Sequence, residues 1–296
     1  MGRFLNRVLD LPHLGMGVST EYGAFRSANA LNIKALRWDH PAFAQFLEVG
    51  VSLDTGLDED TMEWCKGGLP TTYHFLDINL DDPQDLDDGW LDGFRRMQSI
   101  LKPAWVCGDA GLWHFGRRER GHMLLLPPIL SLDGAKRMAD GILRMRDTLG
   151  LEVIPENPPG HVFVGDLHIL DFFAQVVERA DTGMLLDAAH LAIYQAAMGH
   201  ASTTGLDGFP ISRIIEMHVA GASTSTVDDL EIIEDDHTVN VLPDTWTILR
   251  ETVGQAKNLK AIVFECERNE LQQCLPGFEQ IQSLCVGSPF ATGRSA

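Results

Sequence analysis

Carboxylate and histidine side chains close most of the short apolar runs of this 296-residue sequence. In MLLDAAHL, for example, the apolar run ends at Asp187, and His190 follows three positions later. The whole set is His74, Asp109, His114, Glu156, Asp187, His190, His218, Asp235, His237, Glu265 and Glu267. Buried carboxylates and imidazoles are costly unless cations or one another compensate them. The set as a whole therefore predicts a metal site, although any single member could be an ordinary core or helix-capping residue.

The types of side chain in this set narrow the choice of metal. Mixed imidazole and carboxylate ligands without thiolate suit iron, manganese or catalytic zinc, whereas calcium and magnesium prefer oxygen ligands alone. The candidates outnumber the ligands that one ion needs, which predicts two or three ions with bridging carboxylates and open positions for a substrate. Ligand type alone leaves iron, manganese and zinc open.

Eight β-like runs alternate with helix-length segments and would position these side chains. The runs are GMGVST, FLEVG, TTYHFLDI, AWVCGD, LEVIPEN, TGMLLDA, IIEMHVAG and AIVFECE. Apolar stripes at helical spacing lie between them, for example Met138, Ile142, Met145 and Leu149, or Leu167, Leu170 and Val177. Alternating strands and helices without a glycine-rich dinucleotide fingerprint predict an α/β protein with a single (β/α)8 TIM barrel. The active site of such a barrel is built at the carboxyl ends of its strands, where the set lies.

One domain over residues 1–285 is expected, because no repeat, low-complexity block or linker divides the chain. Residues 286–296 are small and polar, which predicts a poorly ordered tail. Residues 223–243 form a long acidic segment between the seventh and eighth strands, and long loops of this kind are usually functional or disordered. Five cysteines without a zinc-type pair indicate reduced thiols rather than a disulfide framework.

The formal net charge of -19 argues against a nucleic-acid partner, because nucleic-acid affinity rests largely on lysine and arginine at phosphates. No apolar run is long enough to span a membrane, and the N-terminal MGRFLNRVLDLPHLG lacks the apolar segment of a signal peptide. We therefore expect a soluble, cytoplasmic protein that binds neither membranes nor nucleic acids.

Nine motifs follow one another between about residues 13 and 270: LGMGVSTEYG, FLEV, YHFLDINL, LLLPPIL, PEN, LLDAAHLAI, EMHVAGA, DDH and VFECE. Each is weak alone, but their order and spacing together resemble the multinuclear non-heme iron-dependent oxidative enzymes, the MbnB/TglH-like family once catalogued as a domain of unknown function. The resemblance implies a xylose-isomerase-like barrel. It also implies metal ligands at His74, Glu156, Asp187, His190, His218, Asp235, His237 and Glu265.

The family resemblance also implies a reaction. Two or three iron ions, as Fe²⁺ and Fe³⁺, would oxidise a residue of a ribosomally synthesised precursor peptide, most often cysteine, with O₂ as cosubstrate. Glu156, Asp187 and His218 are the candidate catalytic residues, and the candidate substrate contacts are Asn157, Trp113 and Asp109. Family members often need a separate protein to present the precursor's leader, so we expect a partner encoded elsewhere. The acidic segment 223–243 is either a docking surface for a basic leader or a solvated loop.

Two positions depart from the family pattern. Ala110 stands where the family's S-D-H supplies a ligand histidine, and His114 or the carboxylate of Asp109 could take its place. His190 stands where the family commonly has asparagine, so it is either an additional ligand or a donor to one.

Two other functions stay open on the sequence. A metal-dependent sugar isomerase or hydrolase of the xylose-isomerase-like class would place similar ligands at its strand ends and consume no oxygen. The net charge of -19 disfavours a nuclease but not a sugar isomerase. A metal-storage or scaffold protein is the third possibility, although ligands around an open barrel mouth suit storage poorly.

Overall fold

The structure is a computed structural model that describes residues 3–20, 30–53, 56–115, 124–228 and 230–292. Its strands are β1 (Gly15–Ser19), β2 (Phe46–Gly50), β3 (Thr71–His74), β4 (Val106–Asp109), β5 (Ile129–Leu130), β6 (Val153–Glu156), β7 (Val164–Gly165), β8 (Met184–Asp187), β9 (Ile214–Val227), β10 (Leu230–Thr238) and β11 (Ala261–Glu265). Eight of them close a parallel barrel in the order β1, β2, β3, β4, β6, β8, β9 and β11. The predicted (β/α)8 barrel is confirmed, and all eight predicted runs are its strands.

The register of the barrel brings the ends of neighbouring strands together. Asp109 at the end of β4 pairs with Glu156 at the end of β6. Asp187 at the end of β8 pairs with His218 in β9. The candidate site residues therefore meet at one end of the barrel, because neighbouring parallel strands end in the same layer.

Helices cover the outside of the barrel. They are α1 (Phe4–Asp10), α2 (Ile33–Asp39), α3 (Glu59–Lys66), α4 (Asp88–Leu101), α5 (Leu132–Leu149), α6 (Ile169–Ala180), α7 (Ala188–Met198), α8 (Pro243–Val253) and α9 (Leu271–Cys285). Ser131 caps α5 by accepting a hydrogen bond from the amide of Gly134, and Gly150 ends this helix with a φ of 69°. None of the helices within the described ranges has the length and apolar character that crossing a membrane requires.

The two predicted apolar stripes fare differently. Met138, Ile142, Met145 and Leu149 are buried on α5, as the helical spacing predicts. The second stripe was partly wrong, because α6 begins only at Ile169 and Leu167 lies before it. His168 sets this start, since its side chain accepts a hydrogen bond from the amide of Leu170.

The acidic segment 223–243 is largely β-hairpin rather than loop, which corrects the expectation from its length. β9 continues to Val227, and β10 returns antiparallel beside it. Threonine, valine and isoleucine, which favour strands, occur in both STSTV and LEIIED, but the length and acidity of the segment did not reveal the pairing. The pairing slips between Asp235 and Thr238, and His237 there takes a left-handed φ of 54°. This bulge brings the side chains of Asp235 and His237 to the barrel mouth.

The barrel is closed at the end opposite its mouth. Phe4 and Val8 of α1 belong to one buried cluster with Trp105, inside the barrel.

Of the predicted tail, residues 286–292 are described, and Phe290 is buried with its ring 5.0 Å from that of His13. The last four residues lie outside the described ranges.

Gly141 offers a test of the packing of α5. A Cβ at this position would overlap the carbonyl oxygen of Leu80, in the segment between β3 and α4. We expect Gly141→Ala to lower the free energy of unfolding by about 2–3 kcal/mol, because helix and segment must separate. Chemical denaturation measures the change. Gly208→Ala is the control, since a Cβ there meets nothing within 4 Å; equal stability of the two variants would refute this close contact.

Candidate metal centre

A cavity of about 460 Å³ opens at the carboxyl ends of the strands. Its lining includes six of the predicted ligands, His74, Glu156, His190, Asp235, His237 and Glu265, and two of the predicted substrate contacts, Asp109 and Trp113. Leu76, Leu125 and Pro159 form apolar parts of the wall. The mouth of the barrel is therefore a single chamber whose floor is built from carboxylates and imidazoles.

Glu156 is the most connected carboxylate of the floor. Its Oε2 lies 2.7 Å from Nε2 of His74, and its Oε1 lies 3.3 Å from Nδ1 of His218. The same Oε1 lies 3.5 Å from Nδ1 of His190. Asp109 reaches the same region, with its Oδ2 4.0 Å from Nε2 of His74. Glu156 thus joins three imidazoles from three different elements.

The two carboxylate oxygens of Asp187, at the start of α7, have different surroundings. Its Oδ1 caps the helix by accepting a hydrogen bond of 2.6 Å from the amide of His190. Its Oδ2 is buried, has no hydrogen-bond partner among the described residues and lies 3.9 Å from Nδ1 of His218. The short spacing in D-A-A-H therefore both ends the strand and brings a carboxylate and an imidazole to the same site.

The two nitrogens of His190 have different partners. Its Nδ1 lies 2.9 Å from the carbonyl oxygen of Asn157, which fits an Nδ1–H that donates to this carbonyl. Its Nε2 lies 2.9 Å from Oδ2 of Asp235 and 3.9 Å from Oδ2 of Asp187. His190 is therefore placed to offer Nε2 as a ligand beside two carboxylates.

Glu267, two residues beyond the end of β11, orients the imidazole of His237. Its Nδ1 lies 2.6 Å from Oε1 of Glu267. Its Nε2 lies 3.4 Å from Oδ2 of Asp235 and 3.8 Å from Oε2 of Glu265. Glu267 is buried and acts on His237 from behind, the arrangement by which carboxylates commonly fix a ligand imidazole.

The carboxylates and imidazoles of this centre shift one another's pKa values. Burial disfavours the cationic form of His74, but its hydrogen bond to Glu156 and the charge of Glu48 outweigh this and raise its pKa to about 9. Nearby carboxylates likewise outweigh burial and raise the pKa values of His190, His218 and His237 well above the usual value. Burial raises the pKa of Asp187 to about 7. The raised pKa values favour the protonated imidazoles. A bound cation would bring its own positive charge to the same carboxylates.

Buried oxygens without hydrogen bonds show that this donor set fits cations. They are, among the described residues, Oδ1 of Asp109, Oε1 of Glu156, Oδ2 of Asp187 and Oδ1 of Asp235. Buried polar atoms normally find partners, so several orphaned oxygens in one place call for an explanation. Within the described ranges, four groups have ligand atoms within 4.8 Å of one another: Glu48–Glu216–His218, His74–Asp109–Glu156, Glu156–Asp187–His190 and Asp187–His218–Glu265. Shared members between groups suit bridged ions.

Two predicted site residues, His114 and Asn157, lie elsewhere or act differently, whereas Trp113 lies at the cavity. The Nε2 of His114 lies 3.0 Å from Oδ2 of Asp85, and His114 belongs to none of the four groups, so the structure does not bring it to the place of the missing histidine. Asn157 exchanges two hydrogen bonds of 3.0 Å with the backbone of Asp187 and so supports a candidate ligand. Trp113 does line the cavity, and its indole donates to the carbonyl of Asp109.

Sequence reasoning missed Glu48 and Glu216 as parts of this region. Each is a single glutamate inside an apolar run, in FLEVG and IIEMH, and both are fully buried. The signal was their place in the strand, because alternate residues of a barrel strand face its interior.

Metal binding to this centre should release protons. The ion must displace protons from imidazoles whose pKa values are raised, so we expect its affinity to fall as the pH drops from about 9 to about 6. Calorimetric titration of Zn²⁺ into metal-free protein, in buffers of different ionisation enthalpy, counts the protons. Affinity that stays constant over this range would contradict the protonation of these histidines.

Comparison with solved structures confirms the architecture. A xylose isomerase-like TIM barrel protein from Mycobacterium smegmatis, in complex with magnesium, matches with a TM-score of 0.55 and 12% identity, over 86% of this chain and 88% of that one. The AP endonuclease, family 2, from Brucella melitensis matches with a TM-score of 0.53 and 12% identity, over 89% and 98%. Likeness at this identity shows the fold alone.

Sequence comparison is more specific. A UPF0276 protein of Anaeromyxobacter sp. (strain Fw109-5) is 25% identical over 204 residues, which are 68% of this chain and 70% of that protein. A UPF0276 protein of Caulobacter vibrioides (strain NA1000 / CB15N) is 24% identical over 251 residues, or 82% and 84%. The model of the RiPP precursor modification enzymes MbnB/TglH/ChrH, where RiPP denotes a ribosomally synthesised and modified peptide, matches residues 25–284. This match spans every barrel strand except β1, and the chain belongs to the MbnB/TglH/ChrH family of RiPP precursor modification enzymes.

Proposed function

We propose that this protein is an iron- and O₂-dependent oxidoreductase that modifies a cysteine residue of a ribosomal precursor peptide. One observation carries the proposal: the buried, orphaned carboxylate oxygens at the barrel mouth converge with imidazoles in a chain of this family. Mixed nitrogen and oxygen donors are the ligands that redox-active iron takes in non-heme sites.

The proposed centre holds two or three ions through residues of seven elements. The ligands would be His74, Glu156, Asp187, His190, His218, Asp235, His237 and Glu265, with Asp109 as a further carboxylate. When bound, the irons would supply a Lewis acid for a substrate thiol and the electrons with which O₂ is activated. His190 would provide the imidazole that Ala110 cannot, since its ring lies beside Asp109 and Glu156.

The remaining walls of the cavity would bind and orient the peptide. Trp113 is fixed at two points, because its backbone amide donates to Oδ1 of Asn79 and its indole to the carbonyl of Asp109. With Leu76 and Leu125 it forms an apolar wall that would keep water from the reacting residue. Arg268 at the rim offers donors to peptide carbonyls. The chain's own residues thus supply position and exclusion of water, while the ions supply the redox chemistry.

A separate partner that presents the leader of the precursor belongs to the same proposal. Glu231 and Glu234 are exposed on β10, and Glu234 also lines the cavity. A basic leader docked along this strand would bring the following peptide segment to the mouth.

Reconstitution tests the reaction directly. Protein loaded with Fe²⁺ under anaerobic conditions is mixed with O₂ and with cysteine-containing precursor peptides encoded near its gene. We expect oxygen uptake and a change in peptide mass that both require iron, and neither with a peptide in which serine replaces the cysteine. A protein that interconverts sugars with manganese or zinc, and consumes no O₂ with iron, would instead be the isomerase that the same fold also permits.

A further inference from the structure

A second layer of polar side chains lies inside the barrel beneath the mouth and meets the centre at His218. Glu48 on β2 and Glu216 on β9 are both fully buried there. Oε2 of Glu48 accepts hydrogen bonds from Oγ1 of Thr72 at 3.4 Å and from Sγ of Cys107 at 3.2 Å. Oε2 of Glu216 accepts one of 2.6 Å from the indole of Trp105. Both carboxylates are therefore held by groups from other parts of the barrel, and each keeps one oxygen for another contact.

The two nitrogens of His218 face different surroundings. Nδ1 points to the mouth, where it lies 3.3 Å from Oε1 of Glu156 and 3.4 Å from Oε1 of Glu265. Nε2 points into the barrel, 3.1 Å from Oε1 of Glu48, a charge contact whose angles fall short of those of a hydrogen bond. A neutral imidazole has one N–H and one lone pair, so the site of the proton decides which nitrogen can ligate. His218 ligates toward the mouth only if its proton is on Nε2.

We propose that Glu48 is a positioning residue, whose Oε1 keeps the proton of His218 on Nε2 and so directs the Nδ1 lone pair to the ions. A carboxylate behind a ligand imidazole fixes its tautomer and orientation and increases its basicity. Thr72 and Cys107 hold the other oxygen of Glu48 and thereby fix the carboxylate itself. Glu267 lies behind the imidazole of His237, with its Oε1 2.6 Å from Nδ1. Two of the candidate ligand imidazoles would therefore be oriented by buried carboxylates. This inference rests on the proposed metal centre, but not on iron, O₂ or the peptide.

The rival interpretation is an ion held beneath the mouth by Glu48, Glu216 and His218 themselves, whose ligand atoms lie within 4.8 Å of one another. In that case Nε2 would carry the lone pair, and Glu48 and Glu216 would matter equally. In the positioning account only Glu48 acts on His218, and replacing Glu216 by glutamine preserves an acceptor for the indole of Trp105.

Zinc binding to the full chain distinguishes the two accounts. Ions per chain and affinity are measured by chelator competition with Zn²⁺ alone for the wild type, Glu48→Gln, Glu48→Ala and Glu216→Gln. We expect affinity to fall about tenfold in Glu48→Gln and about a hundredfold in Glu48→Ala, with the number of ions unchanged at saturation. Glu216→Gln should bind like the wild type. Glu152→Gln controls for destabilisation, because Glu152 is equally a buried carboxylate but pairs with Arg7 near the other end of the barrel.

NMR of ¹⁵N-histidine in the zinc form supplies a readout that a merely structural role would not move. The His218 signals, assigned by their loss in His218→Gln, should show a protonated Nε2 and a coordinated Nδ1. A protonated Nδ1, unchanged affinity in both Glu48 variants, or the loss of one ion in both Glu48→Gln and Glu216→Gln would overturn the proposal. A wild type that binds no zinc and no iron would refute the metal centre itself, which is a separate result from wild-type-like binding by the variants.

Discussion

A Glu156→Gln variant is expected to lose most of its metal and all measurable oxidation of the peptide. Glu156 is 1% exposed and contacts the imidazoles of His74, His190 and His218 with its two oxygens. Glutamine keeps one oxygen but places an amide N–H₂ against imidazoles or cations. We expect the affinity for Fe²⁺ to fall more than about 100-fold, beyond the usual cost of losing a partner behind a ligand.

The matched control for this variant is Glu152→Gln, at the residue just before β6. Glu152 is also buried, but its carboxylate pairs with Arg7 at 2.9 Å and accepts from Thr182 at 2.7 Å, away from the mouth. Its replacement should lower the free energy of unfolding by about 3 kcal/mol, as breaking a buried ion pair does, and leave the metal content intact. Metal analysis and thermal denaturation of both variants separate the two effects. Full metal content in Glu156→Gln would show that this carboxylate is no ligand.

His190→Ala should have the second largest effect. The Nε2 of His190 lies beside Asp235 and Asp187, and Ala110, which follows β4, has no side chain that could bind an ion. The variant removes the imidazole that lies near the carboxylates of Asp109, Asp187 and Asp235. We expect about a hundredfold weaker binding of the ion nearest to it, and a matching loss of peptide oxidation.

His114→Ala serves as the comparison, because His114 is also a buried histidine that follows the carboxyl end of a barrel strand. The imidazole of His114 pairs with Asp85 rather than with the centre, so this variant should keep its metal and lose stability instead. Iron content per chain, with iron titrations of both variants, measures the difference. Loss of an ion in His114→Ala, with full binding in His190→Ala, would reverse the assignment of the substitute histidine.

The barrel could be predicted because its strands are short, apolar and buried on both faces. Runs such as MLLD stand out from the helical segments around them, and the polar residue that closes each run marks the mouth. The hairpin of β9 and β10 could not be recognised in this way. Its strands carry serine, threonine and glutamate, and the left-handed φ of His237 depends on a bulge that no local pattern announces.

The candidate ligand histidines illustrate the limit of spacing arguments. His114 and His190 are each a few residues beyond the end of a strand, and the sequence pointed only to His114 or Asp109, not to His190, in place of a histidine at Ala110. The difference is that α7 starts directly after Asp187 and carries His190 over the mouth, whereas Asp85 holds His114 elsewhere. Glu48 was invisible for another reason, since a glutamate within an apolar run gains its meaning only from the nitrogen it faces across the barrel.

The most direct test of the account is metal analysis of protein purified without oxygen from iron-supplemented cells, together with Mössbauer spectroscopy of the same sample. The account predicts two or three irons per chain, part of them in a mixed-valent state. Stoichiometric zinc or manganese without iron, in a protein that takes up no oxygen, would contradict it and favour an isomerase or hydrolase.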